Sequence, residues 1–127
     1  MCNEQFIIQI RDINYGQHLD HLALLGYLHE TRVRYLKSIG CTETNIDGKN
    51  SSLITSKLTC NYKKECFYGD IINIQLDLHK ESELRLIFKY IVTSNDKIAA
   101  TAEITVAFLD ANHKLIKVPN NLIALTT

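Results

Sequence analysis

Only one stretch of the chain, residues 21–39, carries its core-type side chains at helical spacing, while the apolar runs that follow alternate at period two. A chain with one long helix and several one-sided strands has few ways to bury its sheet. Leu24, Leu25, Leu28, Thr31, Tyr35, Leu36 and Ile39 fall on one arc when each residue advances the helix by roughly 100°, so that arc faces a core. Asp20 stands where a side-chain acceptor caps the first free N–H groups, Gly40 where a left-handed residue closes a helix, and Lys37 faces the negative end of the dipole. Glu30 and Arg34, four apart on the opposite face, read as a surface ion pair. Gly26 costs about 1 kcal/mol relative to alanine inside a helix. Its presence points either to a second backbone passing close by, from the chain's own sheet or from a partner chain, or to a glycine that is simply tolerated.

The rest reads as strands. Residues 1–10 form a short one, with Phe6, Ile8 and Ile10 alternating against Ile7 and Gln9. Residues 41–52 are a polar loop. Residues 53–62 are extended, with Ile54, Leu58, Cys60 and Tyr62 on one side and Thr55, Lys57, Thr59 and Asn61 on the other. Residues 63–70 turn through Tyr68-Gly69-Asp70. Ile72, Ile74, Leu76 and Leu78 then alternate with polar neighbours, as do Leu84, Leu86, Phe88, Tyr90 and Val92 after a turn at Glu81-Ser82. The run 98–109 has a second face of small or mild residues, Ala99, Thr101, Glu103, Thr105 and Ala107, as a central or interface strand would. Pro119, the only proline, breaks the pattern in the tail. The order strand, polar loop, helix, four strands predicts an α+β domain spanning residues 1–127, a curved antiparallel β-sheet wrapped around one long central α-helix. Five strands on one helix leave apolar surface over, which predicts a homodimer or homotetramer.

Fourteen basic and fourteen acidic residues cancel, so no global field favours a polyanion, and no basic run with interleaved aromatics marks a nucleic-acid partner. No apolar run approaches the roughly 20 residues of a membrane span, and no leader-like segment is read. Cys2, Cys41, Cys60 and Cys66 form no CxxC pair, which fits reduced thiols in a cytoplasmic protein. Cys60, alternating with Leu58 and Tyr62, is the cysteine expected to be buried.

Residues 12–21 are too polar for core and too particular for a plain connection. Asp12-Ile13-Asn14-Tyr15-Gly16-Gln17-His18-Leu19, followed by Leu25-Gly26-Tyr27-Leu28-His29-Glu30-Thr31-Arg32, resembles the signature of hotdog-fold acyl-CoA thioesterases of the 4-hydroxybenzoyl-CoA thioesterase type. In that family a D-x-D-x-x-G-H-V-N-N stretch precedes a helix reading Y-L-x-x-x-E-x-A-R. The resemblance extends to Tyr68-Gly69-Asp70 and to the strand order, and implies the hotdog fold. The alignment puts Asn14 at the position of the family's catalytic aspartate, Asp20-His21 at its Asn-Asn, and the motif glycine on Gln17, with Gly16 one place early. An amide cannot take a proton as a carboxylate does.

The resemblance implies hydrolysis of an acyl-CoA or related acyl-carrier thioester, without a cofactor. That reaction needs a polarised carbonyl and an activated water. Free N–H groups and the dipole at the helix start, around His21, Leu22 and Ala23, suit a developing oxyanion. Gly16 and Gln17 join these as candidate substrate contacts. Asp12, His18 and Asp20 are candidate bases, with Asn14 orienting water or carbonyl; Asp12 and Asn14 face the same way if residues 11–14 are extended, and Asp12 or Asp20 would fix the His18 tautomer. Plainer roles stand beside these: Asp20 as a helix cap, His18 bonded to backbone, Asp12 forming a turn. His18, Asp20 and His21 are residue types that bind zinc, but three ligands within four positions make poor site geometry, and no metal is assigned. No cysteine sits in the motif. Two other functions share the fold: a non-catalytic acyl-thioester binding or regulatory protein, and a dehydratase or hydratase using a histidine with a helix carboxylate such as Glu30. The latter lacks its Pro-Gly turn here, and Glu30 points away from the apolar arc.

Overall fold

In the computed structural model of the chain, residues 2–127 are described; Met1, expected in the first strand, lies outside them. The helical period is realised as α1, His21–Ser38. The Asp20 carboxylate accepts the Leu22 N–H at 2.9 Å. At the other end Gly40 is left-handed (φ +79°), and the N–H of Cys41 returns to the Leu36 carbonyl at 2.8 Å. Leu24, Leu28, Thr31, Tyr35 and Leu36 are buried, with Leu25 and Ile39 half-buried at the margins of the arc. Arg32 is buried with them, which the periodicity did not indicate. Its guanidinium lies over the Phe88 ring, 5.7 Å from the centroid, and its Nε donates to Glu43 at 2.7 Å. A buried cation needs such a partner, and the loop after the helix delivers it. Glu30 and Arg34 pair on the surface at 2.9 Å as expected.

Gly26 corrects the expectation of a close backbone within the chain, because a Cβ built there meets nothing within 4 Å among the described residues. The glycine faces outward.

The strands are β1 (Cys2–Ile7), β2 (Ser52–Tyr62), β3 (Ile71–Lys80), β4 (Leu86–Ser94), β5 (Lys97–Leu109) and β6 (Leu115–Ile116). They form one antiparallel sheet in the order β1-β3-β4-β5-β2, with β6 added to β5. Ile72, Ile74, Leu76 and Leu78 of β3, Leu86, Phe88, Tyr90 and Val92 of β4, and Ala100, Ala102, Ile104, Val106 and Phe108 of β5 are all buried. Strand β5 lies between β4 and β2, which explains its mild second face. The tail adds β6 and a four-residue helix, α2 (Asn120–Ile123), whose Leu122 is fully buried.

Two β-bulges shift phases that simple alternation carries straight through. In β2 the register slips between Thr55 and Lys57, so Leu53 opposes Phe108 while Leu58 opposes Ile104. Ile54 is therefore not on the same face as Leu58, Cys60 and Tyr62. The backbone of α1 runs nearest β1 and β3, so this edge strand is poorly covered: Leu58 is 43% and Tyr62 52% exposed. Cys60 is only half-buried, and Cys41 and Cys66 are the buried thiols. In β5 the slip at Val92/Thr93 sets Ala100 opposite Val92 and Ile98 opposite Thr93. Ala99 is the extra residue, and it is buried beside Ala100 instead of continuing the outer face.

Candidate active site

The polar stretch before α1 folds as a short turn and a small hairpin. Ile10–Asp12 is a turn of 3₁₀ helix, not extended chain. It exposes Ile10 and sends Asp12 away from Asn14: the Asp12 carboxylate accepts the Gln9 N–H at 2.9 Å and the Tyr27 hydroxyl. Burial first, and then this hydrogen bond to Asp12, push the Tyr27 hydroxyl up to about 12. The expectation that Asp12 and Asn14 point together is thus corrected. Asp12 lies in an open groove with Gln9, Ala23, Gly26, Tyr27 and Glu30, on the other side of the helix start.

Ile13 and Leu19 bridge the hairpin, and the Asn14 N–H donates to the His18 carbonyl and the Gln17 N–H to the Asn14 carbonyl, each at 3.0 Å. The Asn14 Oδ1 accepts the Gly16 N–H at 2.9 Å. That bond orients the amide and leaves its NH₂ as the donor. A Cβ at Gly16 would stand 2.8 Å from the His18 Nε2 and 3.2 Å from the Asn14 Oδ1, so any larger residue there would displace these two side chains. The imidazole folds over the glycine. Gln17, aligned with the family's glycine, holds φ +69°, a region costly for a side chain and free for glycine. Gln17→Gly is expected to raise unfolding stability by up to about 1 kcal/mol. A loss of stability in denaturant titration would show that the Gln17 side chain makes a compensating contact.

The Leu19 N–H donates to the Cys66 carbonyl at 2.7 Å, which draws the segment after β2 against the hairpin. Between them opens a cleft of about 320 Å³. Asn14, His18 and His21 stand on one wall, Tyr62, Lys63, Lys64 and Glu65 on the other, and Leu19, Leu24, Cys66, Val92 and Ala99 form the apolar remainder. Of the residues singled out in the sequence, Asn14, His18 and His21 meet here. Asp12, Gly16, Gln17, Asp20, Leu22 and Ala23 do not line the cleft.

Asp20 is the helix cap, its second oxygen 3.7 Å from the His21 Nδ1. Neither it nor Asp12 orients His18. The Leu19 carbonyl, 3.5 Å from Nδ1, is the neighbour that does. In the tautomer protonated at Nδ1, Nε2 keeps its lone pair for a proton. The Leu22 N–H is consumed by the cap, so the N–H groups of His21 and Ala23 are the ones without an acceptor among the described residues.

Tyr62, Cys66 and their neighbours were missed because no motif marks them; only strand pairing brings them to the helix start. The Tyr62 hydroxyl donates to the His21 carbonyl at 3.4 Å, its ring edge-on to the imidazole. Burial first, with the Cys60 side chain and the Asp20 charge adding to it, pushes that hydroxyl up to about 12, so it remains a donor at neutral pH. Burial and the Asp70 charge raise the Cys66 thiol, which disfavours the nucleophilic thiolate. The Lys64 ammonium donates to the Ser94 carbonyl at 3.3 Å.

Residues 8–124 match the family model of the thioesterase-like superfamily. A protein of Aquifex aeolicus, provisionally named an esterase, is 27% identical over 103 residues, 81% of this chain and 80% of its own length. The crystal structure of a hypothetical protein from Aquifex aeolicus superposes with a TM-score of 0.87 at 22% identity, covering 98% of both chains. A 1,4-dihydroxy-2-naphthoyl-CoA thioesterase from Synechocystis superposes with a TM-score of 0.85 at 15% identity, over 98% of this chain and 93% of its own.

Proposed function

The chain belongs to the thioesterase-like superfamily, with its hotdog fold and thioester hydrolase chemistry, and we propose that it cleaves an acyl-CoA or a related acyl-carrier thioester in the cleft at the start of α1. The observation that carries this reading is the pairing of an oriented amide, Asn14, with an imidazole, His18, in that cleft. The thioester carbonyl oxygen accepts from the Asn14 NH₂ and the His21 N–H. His18 Nε2 takes a proton from water as the water oxygen bonds to the carbonyl carbon. The C–S bond then breaks, and the departing thiolate recovers the proton from the imidazolium, leaving a carboxylic acid and free thiol. Lys63 and Lys64 give their wall of the cleft a positive charge suited to the phosphates of a CoA. Glu30, the carboxylate of a dehydratase reading, lies outside the cleft, paired with Arg34.

The amide at position 14 favours a second reading, a protein that binds the acyl thioester without turning it over. A panel of acyl-CoAs of varied length, aromatic ones included, with released thiol as the readout, separates the two. Turnover of any member supports the enzyme; binding without thiol release across the panel replaces it with the binding protein.

The proposal extends to assembly and compartment. Strand β2 is an eleven-residue edge whose Leu58 and Tyr62 are exposed on the concave side, and a second copy would cover both edge and side chains. Light scattering at micromolar concentration is expected to give two or four copies, and a monomer would overturn this. Four free cysteines support a reducing, cytoplasmic setting; among the described residues no helix is long and apolar enough to cross a membrane.

A further inference from the structure

We propose that the bulge residue Ala99 sets the length of acyl group the cleft accepts, and that the acyl group is short to medium. This rests on the thioesterase reading and names the part of the substrate that the inner end of the cleft holds.

Three observations lead to it. First, the extra residue in β5 aligns Ala99 with no partner on β4 and turns it inward, so that two successive residues, Ala99 and Ala100, are both buried. Without the bulge, alternation would put position 99 on the outer face and close this end of the cleft with different atoms. Second, the Ala99 carbonyl accepts the N–H groups of both Lys63 and Lys64, at 2.8 and 3.1 Å. One residue therefore anchors the opposite wall with its backbone and supplies part of the inner wall with its methyl. Third, Ala99 meets Leu19, Leu24 and Val92 in the cleft. These are uncharged, whereas Lys63, Lys64 and Glu65 are exposed or half-exposed. The volume, about 320 Å³, is at the small end of ordinary ligand sites, roughly 300–1,000 Å³, and small-to-large change at an alanine is the simplest way to make it smaller.

The test uses saturated straight-chain acyl-CoAs of increasing length, read as kcat/KM by thiol release, and the matching non-hydrolysable thioether analogues, read as Kd. In Ala99→Leu, the longest acyl group that wild type accepts is expected to lose about tenfold or more in both readouts, while the shortest changes by less than about threefold. Val92→Ala, which widens the same wall, is expected to shift the optimum to longer chains. A uniform loss across all lengths in Ala99→Leu, with an unchanged optimum in folded Val92→Ala, would overturn the proposal. If wild type binds the analogues with no length preference, the proposal fails while the thioesterase reading stands. If the analogues show the predicted lengths but no thiol is released, Ala99 keeps its role and the hydrolase reading fails.

Discussion

His18→Ala is expected to lower kcat by about 10²–10⁴-fold, the usual size of a lost general base, with KM changed far less because the apolar remainder of the cleft is untouched. The His18 imidazole stands in the cleft beside Asn14, whereas the Asp12 and Asp20 carboxylates do not line it. Asn14→Asp removes the NH₂ that donates to the thioester oxygen and sets a carboxylate beside it, so kcat is expected to fall by about 10²–10³-fold; a retained or raised kcat would show instead that a carboxylate at this position serves as the base, as in the family the motif resembles. Asp12→Asn offers the contrast. That carboxylate accepts from Gln9 and Tyr27 on the far side of the helix start, so a folded variant should keep kcat within about threefold. Steady-state kinetics on the three variants decide the assignment. Should His18→Ala be indifferent in an active protein, the base is elsewhere, and Glu65, across the cleft, is the residue to replace next.

Leu28→Ala is expected to reduce unfolding stability by about 2–5 kcal/mol, the range for deleting a buried leucine side chain. Leu28 is 0% exposed at the middle of the buried arc of α1. Urea titration should show a lower midpoint at an unchanged slope. A loss below about 1 kcal/mol would mean that the helix relaxes into the space.

The helix was legible because several signals agree on it: the arc, the Asp20 cap and the Gly40 stop. The strands β3, β4 and β5 were legible because a one-sided sheet forces alternation. What escaped was whatever depends on a single inserted residue or on tertiary pairing. The bulge in β2 reverses the phase on either side of Ser56, and no pattern of apolar residues announces it. The turn at Ile10–Asp12 has the same effect on the site, separating Asp12 from Asn14 although the two are spaced as alternate residues. Arg32 lies off the apolar arc, and its burial depends on Glu43, which comes from a loop whose path only the folded chain defines. The candidate site was thus half visible: Asn14, His18 and His21 through the motif, but not the wall carried by Tyr62 to Cys66.

The hydrogen bond from Leu19 to the Cys66 carbonyl has a kinetic consequence. Its two ends are separated in the chain by the whole of α1, the polar loop and β2. The β3-β4-β5 meander needs only local closures, whereas β1 must find β3, and β2 must find β5, across long stretches of chain. Non-local pairings carry the larger entropic cost of closure and form slowly. Because the cleft takes its walls from the hairpin, from the end of β2 and from β4 and β5 together, no partly folded chain holds it. Regain of activity on refolding should therefore trail regain of β-structure, making turnover a late reporter of the finished sheet.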